Sequence, residues 1–227
     1  MSAAAGRGAA PELRRPRAIL FDWDNTLVDS WPAIHDALNF TLEAFGLAPW
    51  SPDEIRSRMG KSLRDTFPAL FGAEWKEAEQ VFYRRFAGCH LERLRSRPGA
   101  GRMLAELQGA GLYLGVVSNK RGDYLRREAA HLGWRDYFGR IVGANDAAED
   151  KPAKAPAAMA LAGSGVSPGQ QVWIAGDTGV DLECASNAGC LPVLVRELGP
   201  QPGEFAGHPP AVHVSDCQAL CKLVGKL

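Results

Sequence analysis

Short, continuous apolar runs alternate along the chain with stretches of helical periodicity. The apolar runs predict β-strands at residues 17–22, 112–117, 172–175 and 191–195, with weaker candidates at 141–142 and 212–214. Helices, each ending near a glycine, are predicted at 99–107, 124–132, 157–162 and 182–187. Strands that are apolar throughout suit a parallel sheet covered on both faces. The alternation therefore predicts an α/β fold.

Residues 29–97 break this alternation with a helical pattern that contains no convincing strand. Ser30 and Ser51 are predicted to be helix N-caps, because a proline follows each within two residues, near the first turn. Apolar residues at helical spacing in 74–94 predict a buried helix face, to which we assign no chemical function. The expected organisation is a flexible tail (1–16), a core (17–28 and 98–227) and a helical cap (29–97).

The composition limits the classes of partner. The 227 residues include 26 Lys plus Arg and 26 Asp plus Glu, so the formal net charge is zero. This balance argues against duplex DNA and anionic membranes as partners, and no apolar run approaches the roughly 18 residues of a membrane helix. The five cysteines form no CxxC pair, which favours reduced thiols and a cytoplasmic location over disulfides or a zinc site.

Polar side chains follow several of the predicted strands. Carboxylates, a hydroxyl and an ammonium group stand at Asp22, Asp24, Ser118, Lys151, Asp177 and Asp181. The first two alone are equally compatible with a solvated acidic turn. However, ligands of open α/β sheets bind at the carboxyl ends of the strands, so residues that follow several strands can share one pocket.

Clustered carboxylates of this kind repel one another and usually need a cation. Oxygen ligands without nearby His or Cys favour a hard ion, and Mg²⁺ is the usual cellular choice. With Mg²⁺ and Lys151 present, the pocket would attract a phosphate dianion. The hydroxyls of Thr26 and Ser118 could donate hydrogen bonds to its oxygens.

From about Arg17 to Val214 the chain resembles the haloacid dehalogenase superfamily. Its four motifs are matched in order by Asp22, Asp24 and Thr26 (DxDxT), by Ser118, by Lys151 before a proline, and by Gly176, Asp177 and Asp181 (GDxxxD). The resemblance implies a Rossmann-like parallel sheet with helices on both faces. It also implies that the helical insert is an all-helical cap domain of the first cap type, which closes as a movable lid.

The resemblance also implies a role for each matched residue. Asp22 would attack phosphorus and form an aspartyl-phosphate, and Asp24 would act first as general acid and then as general base. Mg²⁺ would be held by the Asp22 carboxylate, the Asp24 backbone carbonyl and Asp177, with Asp181 close by. The phosphoryl oxygens would be held by Thr26, Ser118, Asn119 and Lys151.

Two positions depart from the family pattern. Asn25 stands where glycine is common, and the turn should survive because Asn tolerates left-handed backbone. The third motif usually reads KPxP, whereas Lys154 occupies its fourth position here; we expect Lys151, which keeps the adjacent proline, to be the phosphate-binding lysine. Within the cap, Lys61 and Arg64 are candidates for gripping an anionic leaving group, although solvated surface charge is the alternative reading.

The predicted function is Mg²⁺-dependent hydrolysis of small phosphorylated metabolites, similar to the phosphoglycolate phosphatase branch of the superfamily. The chain is expected to be a monomer or a homodimer. A phosphosugar mutase would use the same two aspartates, and a phosphonate hydrolase would need a Schiff-base lysine such as Lys61. A haloacid dehalogenase fits less well, because it needs no metal and does not keep an acid/base at the Asp24 position. A non-catalytic protein that binds phosphorylated ligands is the alternative from another class.

Overall fold

The computed structural model describes residues 13–58 and 62–227. The strands are β1 (Ala18–Phe21), β2 (Val28–Asp29), β3 (Arg95–Ser96), β4 (Tyr113–Arg121), β5 (Arg140–Ala144), β6 (Val172–Gly176), β7 (Leu191–Val195) and β8 (Val212–Val214). The α-helices are α1 (Trp31–Ala44), α2 (Pro52–Arg58), α3 (Leu63–Phe71), α4 (Trp75–Arg93), α5 (Ala100–Gly109), α6 (Gly122–His131), α7 (Ala155–Leu161), α8 (Gly179–Asn187) and α9 (Cys217–Val224).

The central sheet has the strand order β5-β4-β1-β6-β7-β8, and all of its pairings are parallel. The predicted α/β fold with a parallel sheet is therefore confirmed. The strand predicted at 112–117 is β4, and it is longer than predicted. It continues past Val117 to Arg121, with an irregular pairing register to β5. Those last residues are polar, so no apolar run marked them as strand.

Helices cover both faces of the sheet, and the side chains of β1 show this directly. Ile19 and Phe21 pack in one hydrophobic cluster with α5, α6 and α9. Ala18 and Leu20 pack in a second cluster with α7 and α8. Since alternate strand residues point to opposite faces, both faces are buried, which accounts for the continuous apolar pattern of this strand.

The insert after β1 forms a separate helical layer with its own hydrophobic cluster, contributed by α1, α2, α3 and α4. Its two ends are joined by the antiparallel pair of β2 with β3, a short pairing that the sequence pattern missed. Ser51 forms the predicted N-cap with Glu54. Ser30 occupies the N-cap position of α1, but its side chain caps nothing and donates instead to Asp24. The predicted N-cap position of Ser30 is thus confirmed, but without a hydrogen bond from its side chain to the helix.

The described part of the predicted tail lies against the core. Leu13 packs on the first hydrophobic cluster, and Pro16 is buried. Residues 13–16 therefore belong with the core, whereas residues 1–12 of the predicted tail lie outside the described residues. Across residues 13–58 and 62–227, none of the helices combines the length and apolar content that a bilayer crossing requires.

All five cysteines are free thiols. Burial raises the pKa of Cys184 to about 12 and that of Cys217 to about 11. Only the thiolate reacts with alkylating reagents, so near neutral pH we expect iodoacetamide to modify these two at least about a hundredfold more slowly in the folded protein than in urea. Mass spectrometry of digested samples measures the two rates, and equal rates would contradict the burial of these thiols.

Candidate active site

Three strand ends form the floor of the candidate site. Asp22 directly follows β1, Ser118 lies in the last part of β4, and Asp177 directly follows β6. Because β1 pairs in parallel with both β4 and β6, these positions share one edge of the sheet. Together with Asp24, they line a single cavity.

Lys151 lies among the carboxylates of this floor. It is buried, and its Nζ is 2.6 Å from Asp22 Oδ1 and 2.6 Å from Asp181 Oδ1. The Asn119 side chain fixes the backbone of Lys151, since its amide group donates to the Lys151 carbonyl and accepts from the Lys151 N–H, both at 3.0 Å. Lys154 is exposed at the start of α7. Of the two candidate lysines, the structure thus brings Lys151 to the carboxylates, while contact of Asn119 with phosphate stays a prediction.

Asp181 is oriented by the first turn of α8. Its Oδ2 accepts from the Thr178 N–H at 3.0 Å and from the Thr178 hydroxyl at 2.8 Å, in a capping box, which leaves Oδ1 for Lys151. Gly176 allows this approach, because a Cβ there would clash with the Asp181 carboxyl group. The spacing of the GDxxxD motif therefore has a local explanation in this turn.

The turn after β1 places Asn25 and Thr26 beside the floor. Asn25 adopts a φ of 64°, as expected for a residue that replaces glycine, and its Nδ2 donates to Asp177 Oδ2 at 3.3 Å. The Thr26 hydroxyl lies 3.5 Å from Asp22 Oδ2 and 3.4 Å from Asp177 Oδ1. The turn is therefore kept, and the predicted contacts of Thr26 and Ser118 with phosphate remain predictions.

The floor holds more buried negative charge than its ammonium group neutralises. Burial raises the pKa of Asp22 to about 7; Lys151 opposes this rise, whereas Asp181 and Asp24 add to it. Burial likewise raises the pKa of Asp177 well above its ordinary value, with further contributions from Asp22 and Asp181. Burial disfavours the charge on Lys151, but Asp181 and Asp22 raise its pKa overall.

The excess negative charge fits a divalent cation. One oxygen from each of Asp22, Asp177 and Asp181 can be chosen so that all three lie within 4.8 Å of one another. A donor set made only of oxygens is the kind that hard cations prefer. These three predicted ligands therefore lie together. The fourth, the backbone carbonyl of Asp24, stays a prediction.

The side chain of Asp24 is held away from this cluster by two donors. Lys120 Nζ lies 2.6 Å from Asp24 Oδ1, and the Ser30 hydroxyl donates to the same oxygen. Among the described residues, no protein group donates to the other oxygen, Oδ2. Asp24 thus has one oxygen held by two protein donors and one oxygen without a donor among the described residues.

A buried network anchors Lys120 from behind. Its Nζ also lies 2.7 Å from Glu128 Oε2, which accepts a second hydrogen bond from Trp23 Nε1 at 2.7 Å. His90, on helix α4 of the insert, places Nδ1 2.9 Å from Glu128 Oε1. Burial disfavours the charge on Lys120, but Asp24 and Glu128 raise its pKa. None of these four residues was a site prediction; the one local signal was the position of Lys120 two residues after Ser118.

A cavity of about 120 Å³ separates the polar floor from the helical insert. The insert lines it with the mainly apolar side chains of Trp31, Ile34, Leu63, Phe82, Tyr83 and Phe86. Two of these, Phe82 and Phe86, belong to the helix face that was predicted to be core without function. They do pack in the insert's hydrophobic cluster, but they also face the cavity.

The two cap residues predicted to grip a leaving group are not both described. Lys61 lies outside the described residues. Arg64 is not among the residues that line the cavity, and its Nε lies 2.5 Å from Asp150 Oδ2. This ion pair joins α3 of the insert to the segment before Lys151. A direct role of either residue in specificity stays a prediction.

Comparison with known proteins decides the family. The family model described as "Haloacid dehalogenase-like hydrolase" matches residues 19–195, which is most of the chain. The chain belongs to that family. Its curated relatives identify the chain as a phosphatase of the hydrolase class.

Within this family, the chain is similar to curated phosphoglycolate phosphatases. It is 30% identical over 192 residues to that of Chromobacterium violaceum, an alignment that covers 81% of this chain and 86% of the relative. It is 32% identical over 179 residues to that of Aquifex aeolicus, covering 78% and 84%. A haloacid dehalogenase-like hydrolase from Streptococcus pneumoniae superposes with a TM-score of 0.80 at 23% identity, covering 92% and 98%, and confirms the fold.

Proposed function

We propose that this chain hydrolyses small phosphate monoesters in a Mg²⁺-dependent reaction through an aspartyl-phosphate on Asp22. The arrangement of Asp22 carries this proposal. Its carboxylate lies beside the Lys151 ammonium, within a cluster of acidic oxygens, and two residues before a second carboxylate that is separately held. This combination supplies a nucleophile, counter-charges for phosphate and a proton donor within one cavity.

Asp22, Asp177 and Asp181 would hold the Mg²⁺ ion, since their oxygens converge and their burial leaves negative charge uncompensated. When bound, the ion would neutralise charge on the nucleophile and on the phosphoryl oxygens. Lys151 would also neutralise charge on the phosphoryl oxygens, from its position between Asp22 and Asp181. The Asn119 amide keeps Lys151 in place by holding its backbone.

In the first half of the reaction, an Asp22 carboxylate oxygen attacks phosphorus and the bond from phosphorus to the ester oxygen breaks. Asp24 Oδ2 gives its proton to the departing alkoxide, which leaves as the alcohol. In the second half, Asp24 takes a proton from water, the water oxygen attacks phosphorus, and the bond to Asp22 breaks. Phosphate leaves, and both aspartates return to their starting states.

Lys120 and Ser30 act in this scheme as positioning residues for Asp24. Both bind its Oδ1, so they orient the carboxyl group and leave Oδ2 to exchange the proton. Because Glu128 anchors Lys120, the orientation of Asp24 depends on packing between the core and helix α4 of the insert, which supplies His90.

A phosphate-release assay tests the proposal. With Mg²⁺, the purified chain should release inorganic phosphate and the parent alcohol from members of a panel of monoesters. EDTA should lower the rate by about a hundredfold or more, because the ion supplies several kcal/mol of charge stabilisation. Added Mg²⁺ should restore the rate.

Three outcomes would contradict this proposal. Full activity in EDTA would remove the metal from the mechanism. Isomerised sugar phosphate without released phosphate would indicate a mutase. If the chain binds phosphorylated ligands but releases phosphate from none of the esters, it would instead be a non-catalytic binding protein. The cytoplasmic location and the monomeric or homodimeric state remain predictions.

A further inference from the structure

The wall of the cavity that the insert forms is mainly apolar; its polar features among the described residues include Trp31 Nε1, a buried donor without a hydrogen-bond partner, and Lys120 Nζ, which lies 5.6 Å from the Phe86 ring centre. Helix α1 contributes Trp31 and Ile34 to this wall, and helix α4 contributes Phe82 and Phe86. In phosphoryl transfer the attacking and leaving oxygens lie roughly in line with phosphorus. If Asp22 attacks from the floor, the leaving group therefore extends toward the insert and meets this apolar wall.

The cations that line the cavity are already engaged. Lys151 contacts two carboxylates, and so does Lys120. Arg121 donates from Nε and Nη2 to the two oxygens of Asp123, both at 2.6 Å. Among the described residues, the cavity therefore offers no cation that is free to bind a second anionic group of a substrate.

The guanidinium of Arg121 also stacks against two aromatic rings. It lies 4.0 Å from the ring centre of Tyr83 and 4.6 Å from that of Tyr124. Stacking of this kind together with a two-point ion pair fixes the group on three sides. Turning it toward a substrate carboxylate would break contacts with all three partners.

We propose that the natural substrate of this site is a phosphate monoester whose leaving group is uncharged and apolar. A leaving group with a carboxylate, such as glycolate, would lose its water against Ile34 and Phe86 without gaining a free cationic partner from residues 13–58 and 62–227. An aliphatic or aromatic leaving group would instead bury apolar surface there. This inference rests on the proposed phosphatase activity. It predicts that the substrate of this chain differs from phosphoglycolate, for which its curated relatives are named.

Isobutyl phosphate and phosphoglycolate form a matched pair for the test. Both are primary alkyl esters, and the two methyl groups of the first replace the two carboxylate oxygens of the second, so they differ mainly in charge. We expect kcat/KM with Mg²⁺ to be at least about tenfold higher for isobutyl phosphate, the scale on which a pocket discriminates by such contacts. For 2-phenylethyl phosphate, which covers more of the wall, we expect a still higher value.

A charge placed on the wall should weaken or abolish this preference. Ile34→Arg puts a cation on α1 facing the cavity, whereas Ala44→Arg adds the same charge to an exposed position of the same helix. We expect Ile34→Arg to raise the ratio of phosphoglycolate to isobutyl phosphate kcat/KM by about tenfold or more, because charge-assisted pairing then becomes available. The Ala44→Arg control should leave the ratio unchanged.

The outcomes separate the two proposals. If phosphoglycolate equals or exceeds isobutyl phosphate, the inference about the leaving group is overturned while the phosphatase assignment stands. In that case a fall in the ratio of phosphoglycolate to isobutyl phosphate kcat/KM in Lys61→Ala would identify Lys61, which lies outside the described residues, as the cation that binds the carboxylate. If no ester releases phosphate, the phosphatase assignment itself fails. An unchanged ratio in Ile34→Arg that folds normally would overturn the assignment of this wall as the discriminating surface.

Discussion

Asp22→Asn is expected to lower kcat by about 10⁴-fold or more, the scale on which removal of a nucleophile acts in enzymes that form a covalent intermediate. The amide has nearly the shape of the carboxylate but cannot attack phosphorus. The fold should persist, because Lys151 keeps Asp181 as a partner at 2.6 Å. The substitution also removes a buried negative charge, so the metal-free variant should unfold at no lower urea concentration than the wild type.

Asp53→Asn is the matched control for this experiment. This substitution removes one negative charge, as Asp22→Asn does, but from an exposed carboxylate that pairs with Arg56. We expect Asp53→Asn to leave kcat unchanged. Phosphate release gives kcat, and the mass of the peptide that contains position 22 excludes reversion of Asn to Asp. Turnover of Asp22→Asn within about tenfold of wild type would be too high for the loss of a nucleophile and would refute the covalent mechanism.

The floor of the site could be predicted from sequence because its placement follows from local rules. Apolar strands that end in acidic or hydroxyl residues put Asp22, Ser118 and Asp177 at one edge once the sheet is parallel. The orientation of Asp181 follows from a cap within four residues of Thr178. The choice of Lys151 over Lys154 likewise depended on a local feature, the proline that follows Lys151.

The support behind the floor could not be predicted, because it depends on contacts between distant segments. Lys120 reaches Asp24 across 96 residues, and His90 reaches Glu128 across 38. In sequence, Glu128 is one polar position of an amphipathic helix, where a solvated charge is the ordinary expectation. Ser30 satisfied the pattern of a helix cap, but the carboxylate of Asp24 competed successfully for its hydroxyl.

Glu128→Gln is expected to lower the free energy of unfolding by about 3–5 kcal/mol, the usual cost of breaking one side of a buried ion pair. Glu128 is fully buried and accepts from Trp23 and Lys120 on Oε2, with His90 on Oε1. The variant removes the charge that pairs with the buried Lys120 ammonium, and an amide NH₂ in the place of Oε2 would leave Trp23 Nε1 and Lys120 Nζ without that acceptor. Urea unfolding without Mg²⁺ measures the loss.

The same variant should also reduce catalysis, which distinguishes a positioning role from a purely structural one. With residue 128 neutral, Asp24 is the one carboxylate still bound to Lys120 among the described residues. A displacement of Asp24 by about 1 Å can cost about a hundredfold in kcat. Glu43→Gln, an exposed position on α1, is the control and should change neither quantity. A loss of stability with unchanged kcat would show that Lys120 needs no anchor to orient Asp24.

The pH dependence gives a further check on the origin of the stability loss. Burial alone would raise the pKa of Glu128, but Lys120 and the hydrogen bonds from His90 and Trp23 lower it overall. A carboxyl group whose pKa is lowered by folding stabilises the fold above its unfolded pKa, and that stabilisation disappears as the pH falls through the lowered value. The difference in stability between wild type and Glu128→Gln should therefore be largest near neutral pH and shrink in acid. A difference that stays constant would assign it to packing instead of to the charge of Glu128.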